Sequence, residues 1–318
     1  MGAIKDLLTR QVRHLEVEYR IGRARGCSLR LLETFVSAQH ATLSWTGACW
    51  LLRDLMSRNG TFVDGRRLPA GSCHPLLRGA RIAFGTAASH WELIDASPPA
   101  VLVTSLAAAR QMVAYDGILA IPSPTDPRAM LYRNSEGRWV VEKPNESITP
   151  IAPMQTFTLG DDSWRFSSPP EPPEGAGDAS VVTRMAHVQL NFLVSSRDEP
   201  LQVQITYADR TIDLGVAECD RLLLALARRR LSDDARGVGP AASGWVDEEE
   251  LASELAPRRF DLNAEICCVR QQFSRAEVLD PGTIVSRRPR TRQLRIGTER
   301  IAIAALPFLA THSRAFRG

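Results

Sequence analysis

Three short motifs follow one another near the N-terminus: Gly22-Arg23, Ser37-x-x-His40 and Asn59-Gly60-Thr61. Arg23 carries a permanent charge and a rigid fork of N–H donors. Ser37 adds a short hydroxyl donor. Asn59 holds a donor and an acceptor on one amide, which suits it to keep a peptide backbone in register. As a set they fit a phosphate ester on a peptide, a group with about −1.5 to −2 charges and three strong acceptor oxygens at neutral pH. Singly, each has a plainer reading. Arg23 is then a solvated strand-end charge, Ser37 a turn or cap residue, and Asn59-Gly60 a hairpin turn.

Groups of this kind need a stiff frame, and the sequence around them is strand-like. Apolar residues alternate in "HLEVEYRIG", "ATLSWTGACWLLRDL" and "ARIAFGTAASHWELID", with turn residues between them and no long helical period. Residues 12–96 therefore read as a β-sandwich of short strands, with the three motifs in its loops.

The separated stretches "YRIGRARGC", "VSAQHATL", "SRNGTFVDG" and "LRGARIAFG", with Trp50-x-x-x-Asp54 between them, resemble the forkhead-associated (FHA) family in kind and order. The resemblance covers residues 12–96 and implies an FHA domain over 1–96: an eleven-strand sandwich whose loops at one end bind phosphothreonine peptides. It assigns ligand contact to Arg23, Ser37 and Asn59. Gly22, His40, Gly60 and Thr61 support the loops, with His40 bracing them and not touching ligand. The family often carries a small hydroxyl residue before the asparagine, whereas here Arg58 stands there. Arg58 either adds a second cation at the phosphate or faces solvent, and Arg25 and Arg66 are further candidates for the border of the site.

The rest of the chain reads as more domains. "ATLSWTGACWLLRD" and "AMLYRNSEGRWVVEK", and again "IAFGTAASHWEL" and "FTLGDDSWRF", share a pattern in the same order, so residues 100–168 read as a degenerate FHA-like β-module. The alternative is an unrelated small β-module. It has no equivalents of Gly-Arg, Ser-x-x-His or Asn-Gly-Thr. Residues 169–184 are rich in Pro, Gly and acidic side chains and read as a linker. Residues 185–306 run as two strand-like stretches, the helical "AECDRLLLALARRRL" with arginines in its last turn, "DEEELASEL", "LNAEICCVRQQFSRA" and a final hairpin. This order resembles the winged-helix effector domains of response-regulator transcription factors. In "LNAEICCVRQQFSRA", Leu262, Ile266, Val269 and Phe273 form the core-facing stripe. That leaves Asn263, Arg270 and Gln271 on the other side, where they are candidate contacts to double-stranded DNA, with Arg287, Arg288, Arg290 and Arg292 of the hairpin. A solvated arginine face is the plainer alternative.

The fold class is thus multidomain and mainly β: an FHA sandwich, a degenerate FHA-like module and a C-terminal α+β winged helix. With 318 residues, 44% hydrophobic, 24% charged and a formal net charge of +3, the chain is an ordinary globular composition and not a polycation. No apolar run is long enough for a membrane span, and the N-terminus lacks a signal-peptide core, so a cytoplasmic protein without a membrane partner is expected. The six cysteines show no metal-ligand spacing and read as reduced, mostly buried thiols. No nucleotide-binding, zinc-protease or nucleophile-elbow motif is found, so neither an enzyme nor a cofactor is expected. The partner implied is a phosphothreonine-containing protein, a Ser/Thr kinase or its substrate. The C-terminal domain would then act on DNA or, alternatively, dock protein as part of an adaptor.

Overall fold

The computed structural model describes residues 1–88, 90–144, 146–169, 183–195, 200–208, 210–255, 261–288 and 290–305. So far as their residues are described, the chain divides into two compact units, Met1–Ala114 with Ala152–Ala176, and Tyr115–Ile151 with Gly177–Gly318. All but three residues of the expected 169–184 linker lie outside the described residues.

The first unit opens with eleven strands: β1 (Ala3–Asp6), β2 (Val12–His14), β3 (Glu18–Gly22), β4 (Leu29–Arg30), β5 (Ala41–Trp45), β6 (Trp50–Asp54), β7 (Thr61–Val63), β8 (Arg66–Arg67), β9 (Cys73–Leu76), β10 (Arg81–Phe84) and β11 (Trp91–Asp95). They pair as two sheets, ordered β2-β1-β11-β10-β7-β8 and β4-β3-β5-β6-β9. The two-residue period of a strand sends alternate side chains inward. Ala41 and Leu43 of β5, Trp50 and Leu52 of β6, and Trp91 and Leu93 of β11 are buried in this way, and they join Tyr19, Ile21 and Ile82 in one core fed by both sheets. Each of the leucine- and isoleucine-sized side chains among them contributes roughly 1.5–3 kcal/mol when removed from water.

The two turns of "LMSRNGTFVDG" do different jobs. Asp64 and Gly65 both have positive φ, 48° and 76°, and close the β7–β8 hairpin as a primed turn. Asn59-Gly60 is not a hairpin turn, because the strands it joins, β6 and β7, lie in different sheets.

Residues 100–168 do not stand as a body of their own. Gln111–Val113, Leu102–Ser105, Asp162–Ser167 and Thr156–Leu159 form a four-stranded sheet within the first unit. Glu16, buried, joins that sheet to the sandwich by accepting from Thr104 Oγ1 at 3.1 Å and Arg165 Nη2 at 2.9 Å. Leu119–Ser123, Asp126–Arg133, Trp139–Glu142 and Thr149–Pro150 form a second four-stranded sheet, inside the second unit. The expected self-contained 100–168 module is therefore divided. The physical reason is burial: Ile118, Met130, Tyr132 and Val140 share a core with Leu222, Leu223, Ile266 and Phe273 of the C-terminal helices.

The second unit also holds a sheet of Arg210–Gly215, Pro200–Tyr207, Gln189–Val194 and Ile301–Ala305, the last pair parallel. Three helices follow one another, α1 (Asp220–Ala235), α2 (Glu248–Leu255) and α3 (Leu262–Arg275). Then comes the hairpin Val285–Arg288 with Gln293–Ile296, which Val246–Asp247 extends to three strands. Helix α1 is longer than its sequence pattern suggested, so its arginines lie away from the last turn. Arg230 is buried and paired with Glu299 at 2.6 Å. Asp261 caps α3, accepting from the Asn263 and Ala264 amides at 2.9 and 3.0 Å. Among the described residues no helix is long and apolar enough to cross a membrane.

Candidate functional site

The segments after β3, before β5 and between β6 and β7 meet at one place, and backbone hydrogen bonds begin the assembly. Arg23 N donates to Ser37 O and Ala24 N to Ala38 O, both at 2.9 Å. Gly22 makes this approach possible: a Cβ there would lie 2.4 Å from the Ala38 carbonyl oxygen. Gly22→Ala is expected to cost the sandwich about 1–3 kcal/mol, because the clash is with backbone that cannot swing aside. Denaturant unfolding of the full chain measures it.

His40 is fully buried and stitches the next pair of loops. Its Nδ1 accepts from the Ser37 amide at 3.0 Å, so Nε2 carries the hydrogen and donates to Gly60 O at 3.2 Å. The Phe84 ring meets it edge-on, with centroids 5.6 Å apart. Burial holds the His40 imidazole below its ordinary pKa, partly opposed by the Gly60 carbonyl and by Asp54. The bracing role expected of His40 fits these contacts.

The Asn59 turn is held from below by Asp54, which ends β6 and is buried. Its Oδ1 accepts from Ser57 Oγ and Thr61 Oγ1, both at 2.6 Å, and its Oδ2 from the Ser57 amide at 3.1 Å. Ser57 Oγ then accepts from the Gly60 amide at 3.0 Å. Burial pushes the Asp54 carboxyl up, but the Ser57 and Thr61 hydrogen bonds pull it down further, and the net shift is downward. Gly60 takes φ +89°, a left-handed conformation in which a side chain is strained. Ser57 was not among the sequence candidates. Its signal is a serine three residues before a glycine, the pattern of a hydroxyl closing a turn on a backbone amide. The small hydroxyl absent at Arg58 stands one residue earlier.

The expected ligand-contact residues come together on this frame. Ser37 Oγ accepts from the Arg58 amide at 3.1 Å, Asn59 Nδ2 donates to Phe35 O at 2.8 Å, and Arg23 Nε donates to Val36 O at 3.4 Å. Arg23, Arg58 and Asn59 are exposed and Ser37 is half-exposed. Two arginines, a hydroxyl and an amide thus border one rim on exposed loops that are braced from within by the buried His40, Asp54 and Thr61. Arg25 and Arg66 are exposed as well. Arg67 lies against Gly60, where a Cβ would meet its Nε at 2.3 Å.

The candidate DNA contacts do not gather in this way. Arg270 is 1% exposed, and Gln271 and Arg287 are buried too, so the expectation that they face outward is overturned. Residues 126–142, remote in sequence, cover that side of α3. Arg270 Nη2 donates to Glu142 Oε2 at 2.8 Å and to Val285 O at 3.1 Å, and its guanidinium lies 4.3 Å from the Tyr132 ring centroid. Arg287 pairs with Glu142 at 3.4 Å and Glu248 at 3.1 Å and donates to Asn263 Oδ1 at 2.7 Å, which occupies Asn263 as well. Arg292 is exposed but sits 3.3 Å from Glu249 and 3.7 Å from Glu248. Arg288 lies 3.9 Å over the Trp245 ring and donates to Ala241 O. Arg290 is exposed.

Comparison with known proteins gives the N-terminal loops a family. The FHA domain family matches residues 19–85. The FHA domain-containing protein FhaB of Mycobacterium tuberculosis (strain ATCC 25618 / H37Rv) is 37% identical over 62 residues, 20% of this chain and 40% of that protein. FhaB of Mycolicibacterium smegmatis is 37% identical over 65 residues, 20% of this chain and 41% of that protein. The chain thus spans about two fifths of the length of these curated relatives. Among solved structures, Mycobacterium tuberculosis EmbR in complex with a low affinity phosphopeptide is 27% identical, covering 30% of this chain and 25% of that one, with TM-score 0.27. The FhaA FHA domain complexed with the intracellular domain of Rv3910 is 29% identical, covering 29% of this chain and 98% of that one, with TM-score 0.26. The loops that unite Arg23, Ser37 and Asn59 fall inside the matched segment, and residues 19–85 are an FHA domain.

Proposed function

We propose that this chain is a phospho-dependent docking protein. Its FHA domain grips a phosphothreonine on a partner, a Ser/Thr kinase or a kinase substrate, through Arg23, Ser37, Arg58 and Asn59. The observation that carries the reading is the pair of contacts Arg58 N to Ser37 Oγ and Asn59 Nδ2 to Phe35 O. They hold the loops before β5 and after β6 together at one rim, where Arg23, tied to Val36 O through its Nε, and Arg58 are both exposed and can offer guanidinium donors to phosphate oxygens. Charge-assisted hydrogen bonds of this kind contribute about 1.5–3 kcal/mol each.

Calorimetry of the full chain against one peptide in threonine and phosphothreonine forms tests this. Binding is expected only to the phosphorylated form. Arg23→Ala is expected to weaken it about ten- to a hundredfold, since each 1.4 kcal/mol is a factor of ten. Equal binding of the two peptides would end the proposal.

The order strands, α1, α2, α3, hairpin supports a winged-helix-like second unit, but the adaptor reading is the one carried forward. Arg270, Gln271 and Arg287 are committed to the interior, and Arg292 is neutralised by Glu248 and Glu249. The 318-residue chain is therefore expected to show no salt-dependent affinity for duplex DNA beyond that of a variant with Arg288, Arg290 and Arg292 replaced by alanine. A steep salt dependence lost in that variant would restore the DNA-binding reading.

A further inference from the structure

Of the six cysteines, Cys219 and Cys267 are buried, Cys73 and Cys268 are exposed, and Cys27 and Cys49 are intermediate, so the expectation of mostly buried thiols does not hold. Two of them meet. Cys219 sits at the N-terminal cap of α1 and is 1% exposed, Cys268 lies midway along α3, and their sulfurs are 2.7 Å apart. That is well inside the roughly 3.5–4.0 Å of ordinary heavy-atom contact. It is only about 0.7 Å beyond the ~2.05 Å of an S–S bond. The geometry points to Cys219 and Cys268 as a thiol pair oxidised to an intramolecular disulfide by hydroperoxides, a modification site that ties α1 to α3.

The two sulfurs are unequal. Cys268 is open to solvent, whereas Cys219 is shielded. The hydrogen bond from the Cys219 thiol, more than any other influence, lowers the pKa of Cys268. The same contact, followed by burial, drives that of Cys219 up. Cys268 is thus the more readily ionised of the two and Cys219 the one that keeps its proton longer. The charged groups facing the pair are Glu265, Asp220 and Arg275: the two carboxylates disfavour the anion and Arg275 favours it. The neighbouring Cys267 lies on the buried side of α3, and burial raises its thiol to about 11, which leaves it unreactive.

The chemistry closes in two steps. The Cys268 thiolate attacks one oxygen of hydrogen peroxide, the O–O bond breaks, hydroxide leaves, and a sulfenic acid remains. The Cys219 sulfur, giving up its proton, attacks the Cys268 sulfur; the S–O bond breaks and the hydroxyl leaves as water. Two thiols lose two electrons in all and one peroxide becomes two waters. Because the sulfurs already touch, the second step outruns further oxidation of Cys268.

The test treats the full chain with hydrogen peroxide at about one to ten equivalents, quenches the peroxide, unfolds the chain in denaturant to alkylate residual thiols and maps peptides without reduction. A peptide pair joined through Cys219 and Cys268 is expected, with Cys267 alkylated, and dithiothreitol is expected to reverse it. Cys219→Ser is expected to leave Cys268 as a dimedone-reactive sulfenic acid. Cys268→Ser, a change at an exposed position that the fold tolerates, is expected to abolish the link. The proposal is overturned if Cys268 in the unmodified chain passes to sulfinic acid without a link. It is equally overturned if the first link formed joins other cysteines or two chains.

Discussion

Glu142→Ala is expected to destabilise the C-terminal unit by about 3–5 kcal/mol, the cost of removing one partner from a buried ion pair. Glu142 and the side chains of Arg270 and Arg287 are each no more than 2% exposed. The carboxylate serves both guanidinium groups and also accepts from Tyr132 Oη at 2.5 Å. Without it, Arg270 keeps Val285 O, Met130 Sδ and the face of the Tyr132 ring but no counter-charge of its own, and Arg287 keeps Glu248 and Asn263. Burial pushes the Glu142 carboxyl up, but Arg270 and Arg287 pull it down further, below its ordinary range. Since its folded pKa is depressed, the stability it supplies is present above the unfolded value near ~4.3 and is lost as pH falls below it. Arg275→Ala is the contrast. Its pair with Asp116 is 57% exposed on the arginine side, and such pairs contribute about 0–1 kcal/mol. Hydrogen exchange of α3 amides in the full chain compares the two. Should Glu142→Ala cost no more than Arg275→Ala, the buried cluster is not what joins residues 126–142 to α3.

That cluster also shows why the FHA loops were legible in the sequence and the covered face of α3 was not. The FHA loops are local devices. A glycine beside an arginine, a histidine three residues after the serine whose amide it meets, and a serine and threonine three and seven residues after one aspartate each leave a short fixed spacing in the chain. Helix α3 gave a stripe of the right period, and Ile266, Val269 and Phe273 are indeed buried. Helical spacing identifies faces, however, and does not say how many of them are covered. The opposite face of α3 is covered by residues 126–142, more than a hundred positions earlier, and nothing near Arg270 announces Glu142 or Tyr132. Division of residues 100–168 between two units escaped for the same reason. Strand alternation marks an inward side without naming the core it joins.

Asp54→Ala is expected to remove about 3–5 kcal/mol from the FHA domain and to weaken phosphopeptide binding, although Asp54 itself is buried beneath the rim. Three donors lose one ionised acceptor at once: two hydroxyls and the Ser57 amide. Ser57 Oγ, freed from Asp54, no longer fixes the Gly60 amide, and the Asn59 turn loosens. Arg23→Ala, by contrast, is expected to lower affinity with little change in stability, so calorimetry and denaturant unfolding together separate the frame from the grip. Acid separates the frame's own parts. The His40 pKa is depressed, so the unfolded chain takes up its proton first, and stability falls as pH drops below ~6.5 by at most about 1.4 kcal/mol per pH unit. Protonation there also sets a hydrogen on Nδ1 against the Ser37 amide. The depressed Asp54 carboxyl keeps its contribution until the pH passes below ~3.9. His40→Asn is expected to flatten the upper window and spare the lower one. If the upper slope survives that substitution, the imidazole is not the group that titrates, and its bond to Ser37 does not set the acid limit of the loops.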